Sequence, residues 1–145
     1  MLLDSGIIIA YYNRRDEWHQ VAVGLLDAEE ILLLPAPVIP EVDYLLGRRM
    51  GLPAQMALYE DIGSQVYQVV ELSEPGYQRV LELNRQYQSL RLGFVDAAVI
   101  AIAEELGIRR IATLDRRHFG AVESKIGLEL WPQTKTPPLR AGFQT

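Results

Sequence analysis

Short, mostly apolar runs alternate with longer amphipathic segments along the whole chain. Apolar runs bounded by acidic, glycine or proline residues are typical of buried strands in a parallel sheet. Runs of this kind predict five strands, at residues 2–3, 31–34, 66–72, 111–114 and 128–130.

The segments between the predicted strands have helical periodicity. Trp18, Val21 and Leu25 recur at spacings of three and four residues, which places them on one face of a helix. Strands that alternate with helices predict an α/β fold with a mostly parallel sheet, right-handed crossovers and helices on both faces. The helices are predicted over residues 7–13, 17–26, 54–65, 73–87 and 94–106, with one more between Pro40 and Gly51.

Composition narrows the class of protein. The 145 residues suffice for one domain with a sizeable core, since 49% are hydrophobic and 23% are charged. The sequence has no cysteine, which excludes a disulfide framework, a thiolate metal site and a cysteine nucleophile. With 14 basic and 19 acidic residues the formal net charge is −5, so binding of nucleic acid would depend on local clusters of cations.

No segment has the pattern of a membrane helix or an export signal. The longest apolar stretches, residues 6–12 and 97–103, are far shorter than the roughly 20 residues that span a bilayer. The N-terminus has no basic region ahead of its apolar residues and carries Asp4 among them, unlike a secretory signal. We therefore expect a cytoplasmic protein without a membrane segment.

Four carboxylates fall where predicted strands end or predicted helices begin. Asp4 and Asp115 follow the first and fourth strands, Glu41 begins the helix after the second strand, and Asp96 lies near the start of helix 94–106. Each acid alone is also explained as a helix cap or a first-turn residue. Ligands of open α/β sheets gather outside the carboxyl ends of the strands, so we expect the four acids to share one pocket.

Carboxylates that converge on one pocket repel each other, and a hard divalent cation removes that repulsion. Oxygen ligands without sulfur and with little imidazole favour Mg²⁺ or Mn²⁺. Such a site most directly supports attack of metal-activated water on a phosphodiester. A phosphatase that forms an aspartyl-phosphate is disfavoured because no second acid follows Asp4 by two residues, and the glycine-rich loop of P-loop nucleotide hydrolases is missing.

The segments around these acids resemble a known family, the PIN domains, and more narrowly the VapC-type toxins of bacterial toxin–antitoxin pairs. The resemblance covers about residues 1–132, where we predict one PIN-like nuclease domain, with residues 133–145 as an extended or mobile tail. It rests on Asp-Ser-Gly at residues 4–6 and on three longer segments: 38–42, 92–97 and 113–119, which read Val-Ile-Pro-Glu-Val, Leu-Gly-Phe-Val-Asp-Ala and Thr-Leu-Asp-Arg-Arg-His-Phe.

The resemblance implies a three-layer α/β/α sandwich around a short parallel sheet. It also implies an endoribonuclease that depends on Mg²⁺ or Mn²⁺ and is silenced by a cognate antitoxin, with RNA as substrate and a homodimer as the expected assembly. Ser89 stands where many relatives carry a further Asp, which leaves the number of metal ions open. Carried over by residue, the acidic site consists of Asp4, Glu41, Asp96 and Asp115, with Ser5 and Thr113 as polar support.

The resulting hypothesis gives each group a role. Asp4, Asp96 and Asp115 hold one metal ion, and Glu41 binds or orients the attacking water or a second ion. Two alternatives remain, namely a PIN nuclease that processes RNA outside a toxin pair and a non-catalytic PIN module that binds RNA or protein.

The basic residues divide into one candidate pair and several others. Arg116 and Arg117 directly follow Asp115 and are the candidate RNA contacts. The arginine pairs at residues 14–15, 48–49 and 109–110 fit solvated faces or contacts with a partner. His118 is expected to pack or cap beside Phe119, since metal-activated water does not require it as a base.

Overall fold

Five short parallel strands form a single sheet in a computed structural model of the chain, which describes residues 1–135. The strands lie in the order β3-β2-β1-β4-β5, and every neighbouring pair is parallel. The sequence therefore predicted the sheet type correctly. The strands are β1 (Leu2–Leu3), β2 (Leu33–Pro35), β3 (Gln68–Val70), β4 (Arg110–Ala112) and β5 (Glu129–Trp131).

Helices cover both faces of this sheet. Right-handed crossovers on the observed strand order place α1 to α4 on one face and α5 to α7 on the other. Contacts of α1 with α2 and α3, and of α6 with α5 and α7, agree with this division. The fold is thus the predicted three-layer α/β/α sandwich. The helices are α1 (Ser5–Tyr12), α2 (His19–Asp27), α3 (Ile39–Met50), α4 (Leu52–Gly63), α5 (Glu74–Gln86), α6 (Gly93–Leu106) and α7 (Arg116–Ala121).

The central strand β1 is fully enclosed. Leu2 pairs with both Leu33 and Ile111, and Leu2, Leu3 and Ile111 have no exposed surface. Residues 97–103 of α6 are buried on all sides, because this helix is apolar around its whole circumference. Burial of β1 on both faces fixes the position of the residue that follows it, Asp4.

The strand ends differ from the prediction by one or two residues at β2 and β4, which were predicted at 31–34 and 111–114, and by more at the edge of the sheet. The predicted strand 66–72 is reduced to Gln68–Val70, and Val66 and Val69 are exposed, since this edge strand pairs only with β2. The helix α7 was not predicted as an element, although Asp115 caps it by accepting a hydrogen bond from the backbone N–H of His118 at 3.0 Å.

The C-terminal tail predicted at residues 133–145 lies outside the described residues from position 136 onward. The described part ends near α2, where Lys135 pairs with Glu17 at 2.8 Å and stands 5.0 Å from the centre of the Trp18 ring. Within residues 1–135, no helix is both long and apolar enough to cross a bilayer.

Candidate functional site

The strand order creates a crevice between β1 and β4. From β1 the chain proceeds outward to β2 and β3, and it then crosses to β4 and β5 on the other side. The backbone N–H of Asp4 donates to the Ala112 carbonyl at 2.9 Å, so the ends of β1 and β4 lie side by side. Ligands of open α/β sheets bind at such a switch point, and residues 4 and 113–115 border it.

Asp4 is a buried carboxylate with one unsatisfied oxygen. Its side chain accepts a hydrogen bond from the Thr113 hydroxyl, with 2.8 Å between Oγ1 and Oδ2. Asp4 is only 3% exposed, and Oδ1 has no hydrogen-bond partner within residues 1–135. Burial, followed by the negative charge of Asp96, raises the pKa of Asp4 to about 7. The ionised form therefore needs a nearby positive charge.

The first turn of α6 presents Asp96 to the crevice. Gly93 begins this helix with φ +76°, a conformation that favours glycine. The Asn84 side chain holds Gly93 from both sides: its Oδ1 accepts from the Gly93 N–H at 3.0 Å, and its Nδ2 donates to the Gly93 carbonyl at 3.1 Å. Asn84 thus links the end of α5 to the start of α6, three residues before Asp96.

Asp96, Asp115 and His118 form the tightest group of potential ligands. The Nδ1 atom of His118 lies 2.5 Å from Asp96 Oδ2 and 3.1 Å from Asp115 Oδ2. One ligand atom from each of the three residues lies within 4.8 Å of the others. Burial raises the pKa of Asp96 although the hydrogen bond from His118 opposes the rise, and that same bond raises the pKa of His118.

Glu41 lies in α3, on the face of the sheet opposite to α6, and approaches the group of Asp96, Asp115 and His118 from that side. The Ser5 hydroxyl at the start of α1 donates to Glu41 Oε1 at 3.2 Å, which joins the first turns of α1 and α3. The charge of Glu41 contributes to the raised pKa of both Asp4 and Asp96. The four predicted acids therefore share one electrostatic neighbourhood, although Asp4 and Glu41 lie outside the tight group formed with His118.

The prediction that His118 packs or caps beside Phe119 is wrong. The structure directs its ring to two carboxylates, whereas Phe119 alone enters the core and is 2% exposed. The spacing of three residues puts Asp115 and His118 on the same side of one helical turn, and this signal could have revealed half of the contact. The other half, with Asp96, joins residues 22 positions apart and depends on the fold.

The two arginines after Asp115 are in different situations. Arg116 is tied to the chain after β5, because its Nη2 donates to the Pro132 carbonyl. Arg117 is exposed, and its side chain has no hydrogen-bond or ionic partner within the described chain. Ser89, which stands where many PIN domains carry an Asp, is exposed in a short 3₁₀ turn, Gln88–Leu90.

Comparison with known proteins identifies the family. The sequence model of the PIN domain matches residues 1–125. Ribonuclease VapC26 of Mycobacterium tuberculosis is 28% identical over 123 residues, which cover 84% of this chain and 91% of that protein. Among solved structures, the sarcin–ricin loop cleaving toxin VapC20 of Mycobacterium tuberculosis has a TM-score of 0.76 and 24% identity, with 83% of this chain and 93% of that chain covered.

A second solved relative is a complex. VapBC2 from Rickettsia felis, bound to a DNA fragment from its promoter, has a TM-score of 0.67 and 17% identity, covering 90% of this chain and 98% of that chain. Likeness at this identity shows the same fold. The match over residues 1–125 covers most of the sequence, and the chain therefore belongs to the PIN domain family.

Proposed function

We propose that this chain is the toxin of a type II toxin–antitoxin pair and acts as a metal-dependent endoribonuclease. The observation that carries the proposal is the acidic neighbourhood at the strand ends of a PIN domain. Asp96 and Asp115 lie in one tight group, and burial, followed by the charges of Asp96 and Glu41, raises the pKa of Asp4. The name of the relative VapC26 supports ribonuclease activity. The solved VapBC2 complex, which has a similar fold, supports an antitoxin as partner.

The residues of the site fit a divalent cation. Asp4 Oδ1 is buried without a hydrogen-bond partner in residues 1–135, and burial, followed by neighbouring negative charges, raises the pKa values of Asp4 and Asp96. A donor set of carboxylate oxygens suits Mg²⁺ or Mn²⁺. We propose that Asp4, Asp96 and Asp115 hold the cation, which when bound supplies Lewis-acid polarisation of the scissile phosphate.

The side chains around the acids fix their positions. Thr113 holds Oδ2 of Asp4, and His118 holds Asp96 and Asp115 together. Glu41 has one oxygen engaged by Ser5, so its other oxygen is available to orient the attacking water and to accept its proton. Attack of water on phosphorus breaks the bond to the 3′-oxygen, which takes a proton from solvent, and leaves a 3′-hydroxyl and a 5′-phosphate.

Replacement of Asp96 by Asn tests the assignment. Asn keeps the size of the side chain but removes its charge, so we expect loss of about 100-fold or more of RNA cleavage in the presence of Mn²⁺. Glu105→Gln is a matched control, because Glu105 is an exposed acid on the same helix whose carboxylate accepts a hydrogen bond from Ser73 away from the site. Cleavage by D96N at the level of E105Q, at equal folding stability, would show that the chain is not a nuclease of this kind.

We further propose RNA and a cognate antitoxin as partners, a homodimer as assembly, and the cytoplasm as the place of action. A partner surface is supported by exposed apolar side chains on α3 and α4, among them Tyr44, Leu52 and Met56. The test is co-expression with the product of a small neighbouring reading frame. We expect a complex that survives size exclusion chromatography and suppresses cleavage, while a protein that neither binds nor inhibits would favour an RNA-processing nuclease. The nuclease domain is proposed to span residues 1–132.

A further inference from the structure

An arginine-rich cavity lies at the far ends of the two helices that begin at the acidic site. The cavity has a volume of about 460 Å³ and is lined by Tyr12, Asn13, Arg14, Arg15, Arg49 and Met50. Its residues come from the end of α1 and the three residues that follow it, and from the end of α3. Folding thus brings Arg49 beside two arginines that lie more than 30 positions away in the sequence.

The arginine side chains of this cavity form no ion pair or hydrogen bond within the described residues. Arg79 and Arg110 are ion-paired with Glu104 and Glu29, at 2.7 and 2.6 Å. In contrast, the guanidinium groups of Arg14, Arg15 and Arg49 are exposed and have no hydrogen-bond or ionic partner in residues 1–135. Cations near a helix C-terminus interact favourably with the helix dipole, but this effect does not require three of them around one cavity.

The other walls of the cavity offer an apolar surface in a fixed position. The Tyr12 hydroxyl donates to Asp61 Oδ2 at 2.6 Å and lies 2.8 Å from the hydroxyl of Tyr67, which is 3% exposed. These bonds hold the Tyr12 ring beside the arginines, and the exposed Met50 adds a second apolar surface. Guanidinium groups beside an aromatic ring are suited to phosphate groups and to the sugar or base attached to them.

The cavity and the acidic site are joined by the length of two helices. Ser5 and Glu41 meet at the beginning of α1 and α3, and Tyr12 and Arg49 lie at their other ends. At 1.5 Å per residue, the two places are about 10–12 Å apart along the helix axes. A single RNA strand of a few nucleotides covers this distance.

We propose that the cavity at Arg14, Arg15 and Arg49 binds the phosphate backbone of the RNA substrate, a few nucleotides from the bond that is cut. The proposal rests on the proposed ribonuclease function, and it explains how a chain with a net charge of −5 retains a polyanion. Arginine favours this role because its guanidinium group binds a phosphate with two parallel hydrogen bonds.

Binding of a fluorescein-labelled single-stranded RNA, measured by anisotropy over a series of salt concentrations, tests the cavity. All proteins carry D96N so that the RNA stays intact. We expect the triple variant R14Q/R15Q/R49Q to bind about tenfold or more weakly, and the slope of log K against log salt to become shallower by about 0.7 for each phosphate that is no longer neutralised. Arg85→Gln is the control, since Arg85 is an exposed arginine in the last turn of α5 and is not part of the cavity.

Further measurements separate this role from a structural one. Each single variant is expected to weaken RNA binding while melting at the temperature of R85Q, and Arg49→Lys is expected to retain part of the affinity because it keeps the charge. With Asp96 intact, the triple variant should have a raised KM for a long RNA and an unchanged rate on a dinucleotide, which cannot reach the cavity.

The proposal is overturned if the triple variant binds RNA with the affinity and salt slope of R85Q. It is also overturned if RNA binding is unchanged and binding of the antitoxin is abolished, since the cavity would then serve a protein. If the wild-type chain cleaves no RNA, the proposed nuclease function fails, whereas the binding comparison in the D96N background still decides the role of the cavity.

Discussion

Removal of the His118 ring should destabilise the metal-free protein and should do so less when a divalent cation is present. The ring nitrogen Nδ1 lies 2.5 Å from Asp96 and 3.1 Å from Asp115. Because carboxylate oxygens of ionised acids only accept hydrogen bonds, Nδ1 carries the proton in this arrangement. His118→Ala removes this donor and leaves the two carboxylates facing each other.

The size of the effect follows from two contributions. A hydrogen bond to a charged group contributes about 1.5–3 kcal/mol. Two negative charges at the 4.8 Å limit of this group repel by about 3 kcal/mol at an effective dielectric constant of 20 and by about 1 kcal/mol in water. The Asp115 side chain is 37% exposed, so the repulsion lies near the lower figure. We expect His118→Ala to lower the free energy of unfolding by about 2.5–4 kcal/mol.

Urea unfolding in EDTA, followed by tryptophan fluorescence, measures this change. His118→Asn should restore much of the stability, because the Asn amide nitrogen is attached at the same distance from the backbone as Nδ1, whereas the longer His118→Gln should not. With Mn²⁺ the deficit of His118→Ala should shrink, since the cation compensates the two carboxylates in place of the missing N–H donor. Equal stability of H118A and wild type in EDTA, or equal instability of H118N and H118A, would refute this account.

Three further predictions concern contacts elsewhere in the fold. Thr113→Val should cost about 1–3 kcal/mol in urea unfolding, because it leaves the buried Asp4 without its 2.8 Å hydrogen bond, while Thr113→Ser should cost less. Glu104→Gln tests an ion pair. Burial favours the neutral acid, but hydrogen bonds from Arg79 and the Lys125 N–H outweigh it and lower the pKa of Glu104 below its ordinary 4.5. The stability advantage of wild type over E104Q should therefore be complete above about pH 4.5 and disappear as the pH falls through the lowered pKa, and a constant difference down to pH 2 would contradict this. Phe119→Ala should lower the unfolding free energy by about 3–5 kcal/mol, measured by the same method, and a decrease below 1 kcal/mol would show that its site is not close-packed.

The sequence was sufficient for the sheet and for the bounds of β1, whereas β2 and β4 are offset by one or two residues from the predicted 31–34 and 111–114. Strands that are buried on both faces must be apolar throughout, so residues 2–3 and 111–114 stand out from the amphipathic segments around them. The pattern of apolar residues predicted the edge strand β3 less accurately, because an edge strand is covered on fewer sides and Val69 is exposed. The paired region is only three residues long. Parallel order then followed from the alternation of strands and helices.

The candidate acids could be predicted as a set because the topology brings strand ends together. Asp4 follows β1, Asp115 follows β4, and neighbouring strands of a parallel sheet end at the same edge. The contact of His118 with Asp96 could not be predicted in this way, since it depends on the packing of α6 against α7. The engagement of Arg116 by the Pro132 carbonyl has the same origin, for it requires the position of the chain after β5.

The sequence also could not show which of the four acids most needs a compensating cation, because all four stand in similar positions at strand ends or helix starts. The structure distinguishes them by what compensates their charge. Asp96 and Asp115 share the proton donor of His118, and Glu41 accepts the Ser5 hydroxyl. Only Asp4 combines nearly complete burial with an oxygen that no group in residues 1–135 satisfies. Among the proposed ligands the need for a cation is therefore greatest at Asp4, at the end of β1. Replacement of Asp4 by Asn should change metal affinity most while costing the metal-free fold least.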